Sequence, residues 1–264
     1  MRRRRSRDLQ RWTRERLKVR VAAVSSSLAD HAAEGLGLPR RQINVIPNGF
    51  ATDRFRFEER RPKEEIVVCV LGRLIPAKGP WQALEAFAIL RERLPAARLW
   101  FIGDGPMRQE LVAKVAESGL SELVTFWGML PRPEARLRET DVLWMPSESE
   151  GMPLACIEAM ACGIPVLGYD VRGVRDLLQD GCGILVTPKD SRGLAEQTAR
   201  LVEDSDGYRA LALKARLRVE KHYSLQRMCA DHYGLMRSLC GQKKMATGAV
   251  GARSAESHAG GARE

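Results

Sequence analysis

Between residues 66 and 188 the chain alternates short apolar runs with longer stretches in which apolar positions recur at helical spacing. The runs "IVVCVLG" (66–72), "RLWFIG" (98–103), "LVTFWG" (123–128), "DVLWMP" (141–146), "PVLGYD" (165–170) and "GILVTP" (183–188) predict strands. Helices are predicted between them at roughly 79–94, 106–118, 133–139, 152–162 and 173–179. Strands that are apolar at consecutive positions are covered on both faces, and helices between them supply the cover. The order therefore predicts an α/β domain built on a doubly wound parallel sheet. Further helices are predicted at about 190–203, 206–221 and 225–240. The tail, residues 241–264, is rich in Gly, Ala and Ser without periodicity, and is expected to be disordered.

The front of the chain has a different pattern. "VRVAAVS" (19–25) and "INVIPNG" (43–49) predict two strands around a helix at 27–34, and no earlier run supplies the strands that would complete their sheet. Residues 1–55 are therefore expected to be the remnant of an N-terminal domain with a basic arm. Residues 56–222 form the Rossmann-like domain, 223–240 a C-terminal helix, and 241–264 the tail.

Composition narrows the class. At 264 residues and 44% hydrophobic content the chain can bury a large core, and none of its apolar runs approaches the ~18–20 residues of a membrane span. The arginine-rich start has no apolar region behind it, so it does not read as a signal peptide. Six cysteines and four histidines are scattered without metal-ligand spacing, which predicts reduced thiols, no metal and a cytoplasmic setting. Of the net charge of +10, residues 1–20 carry +8, so the basicity belongs to that segment. Such an arm can touch an anionic membrane from the cytoplasmic side, although a solvated helix or frayed arm is the plainer reading. No interleaved aromatic pattern supports nucleic-acid binding.

Candidate chemistry clusters where predicted strands end, the side on which open α/β sheets hold ligands. "GRLIPAKG" places Arg73 after the first strand and Lys78 before the next helix, a pair of cations suited to a diphosphate. Taken alone, two such residues in a loop are more often solvated surface charges. Glu150 and Gly151 follow the strand at 141–146, Pro153 suits a first helical turn, and Glu158 is the lone charge in "PLACIEAMACG". Burying that carboxylate without a partner is costly, so it either holds a ligand, pairs with a neighbouring cation or lies on an exposed stripe. Helical rise separates the two glutamates by roughly 10–12 Å, beyond the ~5–9.5 Å of a glycosidase pair. They are expected to grip two parts of one long ligand, with Glu158 accepting from ribose hydroxyls.

With these residues in place, "PSESEGMPLACIEAMACGIPV" resembles the E-x7-E signature of retaining glycosyltransferases of family 4, which have the GT-B fold. In the family's order stand "VSSSLAD", "VIPNGFATDRF", "GRLIPAKG", "FIGDGP", "VTFWG", "DVRGVRDLL" and "GILVTP". The resemblance covers residues 20 to about 240 and implies metal-independent transfer from a nucleotide diphosphate sugar, with retention and without a cofactor. It assigns Arg73 and Lys78 to the diphosphate, Glu150 to the donor sugar and Glu158 to the ribose. Gly151, Met152, Pro153 and Leu154 meet sugar and phosphate through their backbone, and Gly128, Met129 and Leu130 frame the base. Ala51 stands where the family often has Asp, and the glycine-rich loop and histidine of the N-terminal acceptor domain have no counterpart. The chain is thus expected to be the donor part of a truncated or split enzyme, with an unidentified acceptor and a partner chain supplying the missing domain. A catalytically inactive nucleotide-sugar-binding module or regulatory subunit is the alternative. "DSD" (204–206) resembles the metal motif of a different transferase fold, but its place between two late helices reads as a loop.

Overall fold

The computed structural model describes residues 20–59 and 65–253, with side chains through residue 240. Six strands form one sheet: β3 (Val67–Leu71), β4 (Arg98–Ile102), β5 (Val124–Gly128), β6 (Val142–Met145), β7 (Val166–Tyr169) and β8 (Ile184–Val186). Their spatial order is β5-β4-β3-β6-β7-β8 and every pairing is parallel. The helices are α2 (Pro80–Arg93), α3 (Arg108–Glu117), α4 (Glu134–Leu137), α5 (Leu154–Ala161), α6 (Arg172–Leu178), α7 (Ser191–Glu203) and α8 (Ser205–His222). The expected doubly wound architecture is present, and the predicted elements differ from the observed ones by a few terminal residues.

Alternation along each strand builds two core layers. Val68, Val70, Leu99, Phe101, Val142 and Trp144 point to the face covered by α2, α3 and α7, where Phe87, Leu111 and Leu194 are fully buried. Cys69, Leu143, Met145 and Val166 point to the other face, covered by α5, α6 and α8 through Ile157, Met160, Leu177 and Val219. Each fully buried large side chain contributes about 1.5–3 kcal/mol relative to exposure. Trp144 keeps its indole N–H satisfied by donating to Thr198 Oγ1 at 2.8 Å. Burial pushes the Cys69 thiol up to about 12, so it behaves as a core residue.

The front segment folds as β1 (Val21–Ala23), α1 (Ser26–Leu36) and β2 (Ile43–Val45), with β1 and β2 in a separate two-stranded parallel sheet. Among the described residues no further strand joins it. Helix α1 packs on α6, and Ser27 donates its hydroxyl and backbone N–H to Asp176 Oδ2 at 2.6 and 3.2 Å. The connection into the large domain runs beside the end of α8: Phe50 N–H donates to the Tyr223 carbonyl at 2.9 Å, and Leu225 N–H donates to the Phe50 carbonyl at 3.1 Å. Arg216 fastens both sides, donating to the carbonyls of Phe55 and Ala161 at 2.8 and 2.6 Å.

Two expectations change. The tail was expected to lose structure after residue 240, but the last helix, α9, runs over Leu225–Arg253. "QKKMA" at 242–246 supplies good helix formers that carry the preceding turns onward despite the flanking glycines. Residues 254–264 and the arm before residue 20 lie outside the described residues. The "DSD" stretch also has a structural role, since Asp204 caps α8 by accepting from Gly207 N–H at 2.9 Å.

Candidate functional site

The chain leaves β3 toward β4 and β5 on one side of the sheet and returns to β6 on the other, so the carboxyl ends of β3 and β6 border the crevice at the switch point. The loops after these strands are locked together. Gly79 has φ 67°, and a Cβ there would lie 2.0 Å from the Pro146 carbonyl oxygen, so only glycine lets the two backbones meet. Glu148 N–H donates to the Ala77 carbonyl at 3.0 Å.

That contact brings Lys78 Nζ to 2.5 Å from Glu150 Oε1, with side-chain exposures of 27% and 8%. Read from the sequence, these residues serve separate parts of a ligand; the fold makes them a pair. The ammonium offsets the cost of burying the Glu150 carboxylate. Arg73 is exposed and, among the described residues, makes no side-chain hydrogen bond or ion pair. It is a free guanidinium beside a paired lysine.

Helix α5 starts after Pro153, whose extended ψ of 113° ends the loop, and no side chain caps its N terminus. Gly151 precedes it, where a Cβ would meet Leu28 of α1 at 3.8 Å, and Leu154 is 47% exposed. Met152 has another attachment as well, because its sulfur accepts the Asn48 N–H at 3.3 Å and ties this loop to the front segment. Little more than a turn into α5 stands Glu158, half-buried and without a hydrogen bond or ion pair among the described residues. Burial pushes its carboxyl above the usual value, the Glu134 charge adds to that, and Arg54 opposes it.

Arg54 and Glu134 were not singled out from the sequence. Arg54 Nη2 donates to Glu134 Oε1 at 2.8 Å, across a separation of eighty residues. Burial raises the Glu134 carboxyl, but the hydrogen bond and charge of Arg54 outweigh it and the net shift is downward. The cation nearest in influence to Glu158 is therefore already engaged. "NGFATDRF" contains Arg54, but nothing local in either stretch reveals its partner.

The third group stands at the end of β5. Gly128 has φ 68° and accepts the Gly103 N–H at 2.8 Å, which turns the chain into the loop. Met129 is 75% exposed there, while Leu130 packs against the core layer that holds α5. Arg136 covers Trp127, its guanidinium carbon 3.8 Å from the ring centroid. Arg73, Lys78, the Glu150 to Pro153 loop, Met129 and Leu130 thus follow the carboxyl ends of strands, Gly128 closes β5, and Leu154 and Glu158 stand in the first turns of α5.

Gly173 holds the Glu150 loop from behind. Its N–H donates to the Glu150 carbonyl at 3.2 Å, and a Cβ would lie 2.5 Å from the Gly151 carbonyl oxygen. Gly173→Ala is expected to lower stability by about 1–3 kcal/mol, the range for overpacking, because the atoms in the way are backbone and the Glu150 loop must move. Urea denaturation measures it, and an unchanged midpoint contradicts the tight contact.

A family model described as glycosyl transferases group 1 matches residues 51–218. D-inositol 3-phosphate glycosyltransferase of Nocardia farcinica is 33% identical over 216 residues, covering 74% of this chain and 48% of the relative. Glycogen synthase of Mycobacterium tuberculosis is 29% identical over 210 residues, covering 78% and 51%. The chain spans about half the length of the curated relatives it matches. Among solved structures, sucrose-phosphate synthase from Thermosynechococcus elongatus aligns with a TM-score of 0.73 at 25% identity, over 84% of this chain and 58% of the other. Anabaena Alr3699/HepE in complex with UDP aligns with a TM-score of 0.73 at 22% identity, over 84% and 64%.

Proposed function

The chain belongs to the glycosyl transferases group 1 family, and on that premise we propose that it holds a nucleotide diphosphate sugar and supplies the donor side of a retaining, metal-independent sugar transfer. The observation that carries this reading is Glu158, a half-buried carboxylate with no partner in the described residues, one turn from an uncapped helix start. Ribose hydroxyls donating to it would satisfy a charge that the protein leaves unsatisfied. The UDP held by Anabaena Alr3699/HepE supports the same ligand class.

In this reading Arg73 and Lys78 face the diphosphate, and Glu150, held by Lys78, takes the donor sugar. As the glycosidic bond breaks, negative charge grows on the diphosphate oxygen. Fixed cations and the free amides of Gly151, Met152 and Leu154 stabilise it without reorganising. The leaving phosphate accepts the acceptor's proton on the same face, so retention requires no base from this domain. Gly128, Met129 and Leu130 border the base.

Calorimetry of the full chain with UDP, GDP, ADP and their sugars tests the proposal: one base is expected to bind, and no binding by any of them overturns it. Positioning the whole acceptor at the anomeric carbon requires surface beyond that of the six-stranded domain alone, an effect worth ~7–11 kcal/mol in favourable cases. The second reading, a module that binds the donor without transfer, is favoured by the fact that every residue named for the reaction comes from that one domain. The chain alone is expected to bind donor but transfer poorly unless a partner chain holding the acceptor is added. Efficient transfer by the chain alone overturns that division of labour.

We further propose that the arm carrying +8 over residues 1–20 attracts the protein to anionic membrane. Deleting residues 2–18 is expected to abolish sedimentation with acidic liposomes and leave donor affinity unchanged, and raised salt should mimic the deletion. Binding that ignores salt contradicts it. Among the described residues no helix is long and apolar enough to cross a membrane.

A further inference from the structure

A cleft opens where Glu150 meets the front segment. Its walls are the loop after β6, the start of α6 and the exposed side of α1. Three carboxylates line it, and each already has a cation: Glu150 has Lys78 at 2.5 Å, Asp170 has Arg175 at 2.6 Å, and Glu148 has Lys189 at 3.6 Å. Two further basic side chains line the same cleft, Arg172 and His31, and both are exposed without a hydrogen bond or ion pair among the described residues. Ser149 adds a free hydroxyl, and Leu28 and Val171 an apolar surface. Pairwise neutralisation thus leaves the cleft with unspent positive charge.

The position of Arg172 is fixed by its neighbour. Gly173 donates its N–H to the Glu150 carbonyl at 3.2 Å and lies too close to Gly151 to carry a side chain, so Arg172 is one residue from the backbone of the Glu150 loop. A group bound by Arg172 therefore sits beside the residue assigned to the donor sugar. His31 faces the same opening from α1 and contributes an imidazole N–H.

We propose that this cleft is an acceptor subsite in which Arg172, with His31 and Ser149 beside it, binds an anionic oxygen group of the acceptor, a phosphate ester or a carboxylate. The inference rests on the donor reading above and deepens it, since it assigns a charge to the molecule that receives the sugar. Guanidinium is suited to the task because its planar fork meets two oxygens of a phosphate or carboxylate at once.

The test saturates the full chain with its preferred nucleoside diphosphate, so that Arg73 and Lys78 are occupied, and then titrates small probes by ligand-observed NMR. Glycerol 3-phosphate is compared with glycerol, and galacturonate with galactose. The charged member of at least one pair is expected to bind, its neutral counterpart not, and Arg172→Ala to weaken that binding at least about tenfold. Nucleotide affinity should stay within about twofold in the variant, which also shows that it folds; His31→Ala gives a second, smaller loss. Binding of the phosphate alone assigns a phosphorylated acceptor, and of the carboxylate alone an acidic saccharide. Binding of neither, or binding indifferent to Arg172, overturns the inference. Failure of every nucleoside diphosphate to bind is instead a failure of the donor reading, so the two are distinguishable.

Discussion

Replacing Lys78 or Arg73 by alanine lowers turnover by about 10² or more in any assembly competent for transfer. Each substitution removes a fixed positive charge from the oxygens on which negative charge develops, and a mobile solvent ion replaces it poorly. The two variants should differ in one respect. Lys78 also neutralises Glu150, whose side chain is only 8% exposed, so Lys78→Ala strands a carboxylate and costs stability as well as rate. Arg73 is exposed and unpaired among the described residues, so Arg73→Ala should leave the urea midpoint where it was. Single-turnover rates and denaturation curves on both variants provide the comparison. Full activity in either, or equal stability loss in both, contradicts the assignment. Adding a chelator is expected to change neither rate.

Glu158→Ala weakens nucleoside diphosphate binding by ~1.5–3 kcal/mol, roughly 10- to 150-fold, because ribose hydroxyls lose a charged acceptor. The same residue costs the unliganded protein something. Its folded-state pKa is raised by burial, so ionising it works against the fold: the penalty is absent below the unfolded value, near 4.3, and grows until pH has passed the folded value. Glu158→Gln should therefore raise the stability of the unliganded chain at neutral pH, with the advantage vanishing in acid, while lowering affinity. In the parent protein, affinity should fall as pH drops through the raised pKa, since protonation removes the acceptor. Calorimetry across that window checks both. Affinity that is flat with pH, or unchanged in Glu158→Ala, contradicts the ribose contact.

The sheet was legible because its strands are apolar at consecutive positions, and that property is local. The switch-point loops were legible because charged residues there interrupt an otherwise apolar rhythm. What could not be read was which charges meet. Lys78 reaches Glu150 because Gly79 lies on Pro146, a backbone approach between segments far apart in the chain. Arg54 reaches Glu134 across eighty residues for the same kind of reason, and the two change the field at Glu158. Nothing local in "DVRGVRDLL" distinguishes Arg172; its setting comes from ion pairs that join Glu150, Asp170 and Glu148 to other cations. The extension of α9 past residue 240 escaped because glycines and the lack of periodicity hid a stretch of helix formers.

The paired hydrogen bonds between Phe50 and residues 223 and 225 place the entrance and exit of the six-stranded domain side by side. Ser27 on Asp176 and Asn48 on Met152 tie the same front segment down near its start and before its end, so it is moored at several points along its length, and displacing it from the six-stranded domain means giving up those bonds together with the pair at Phe50.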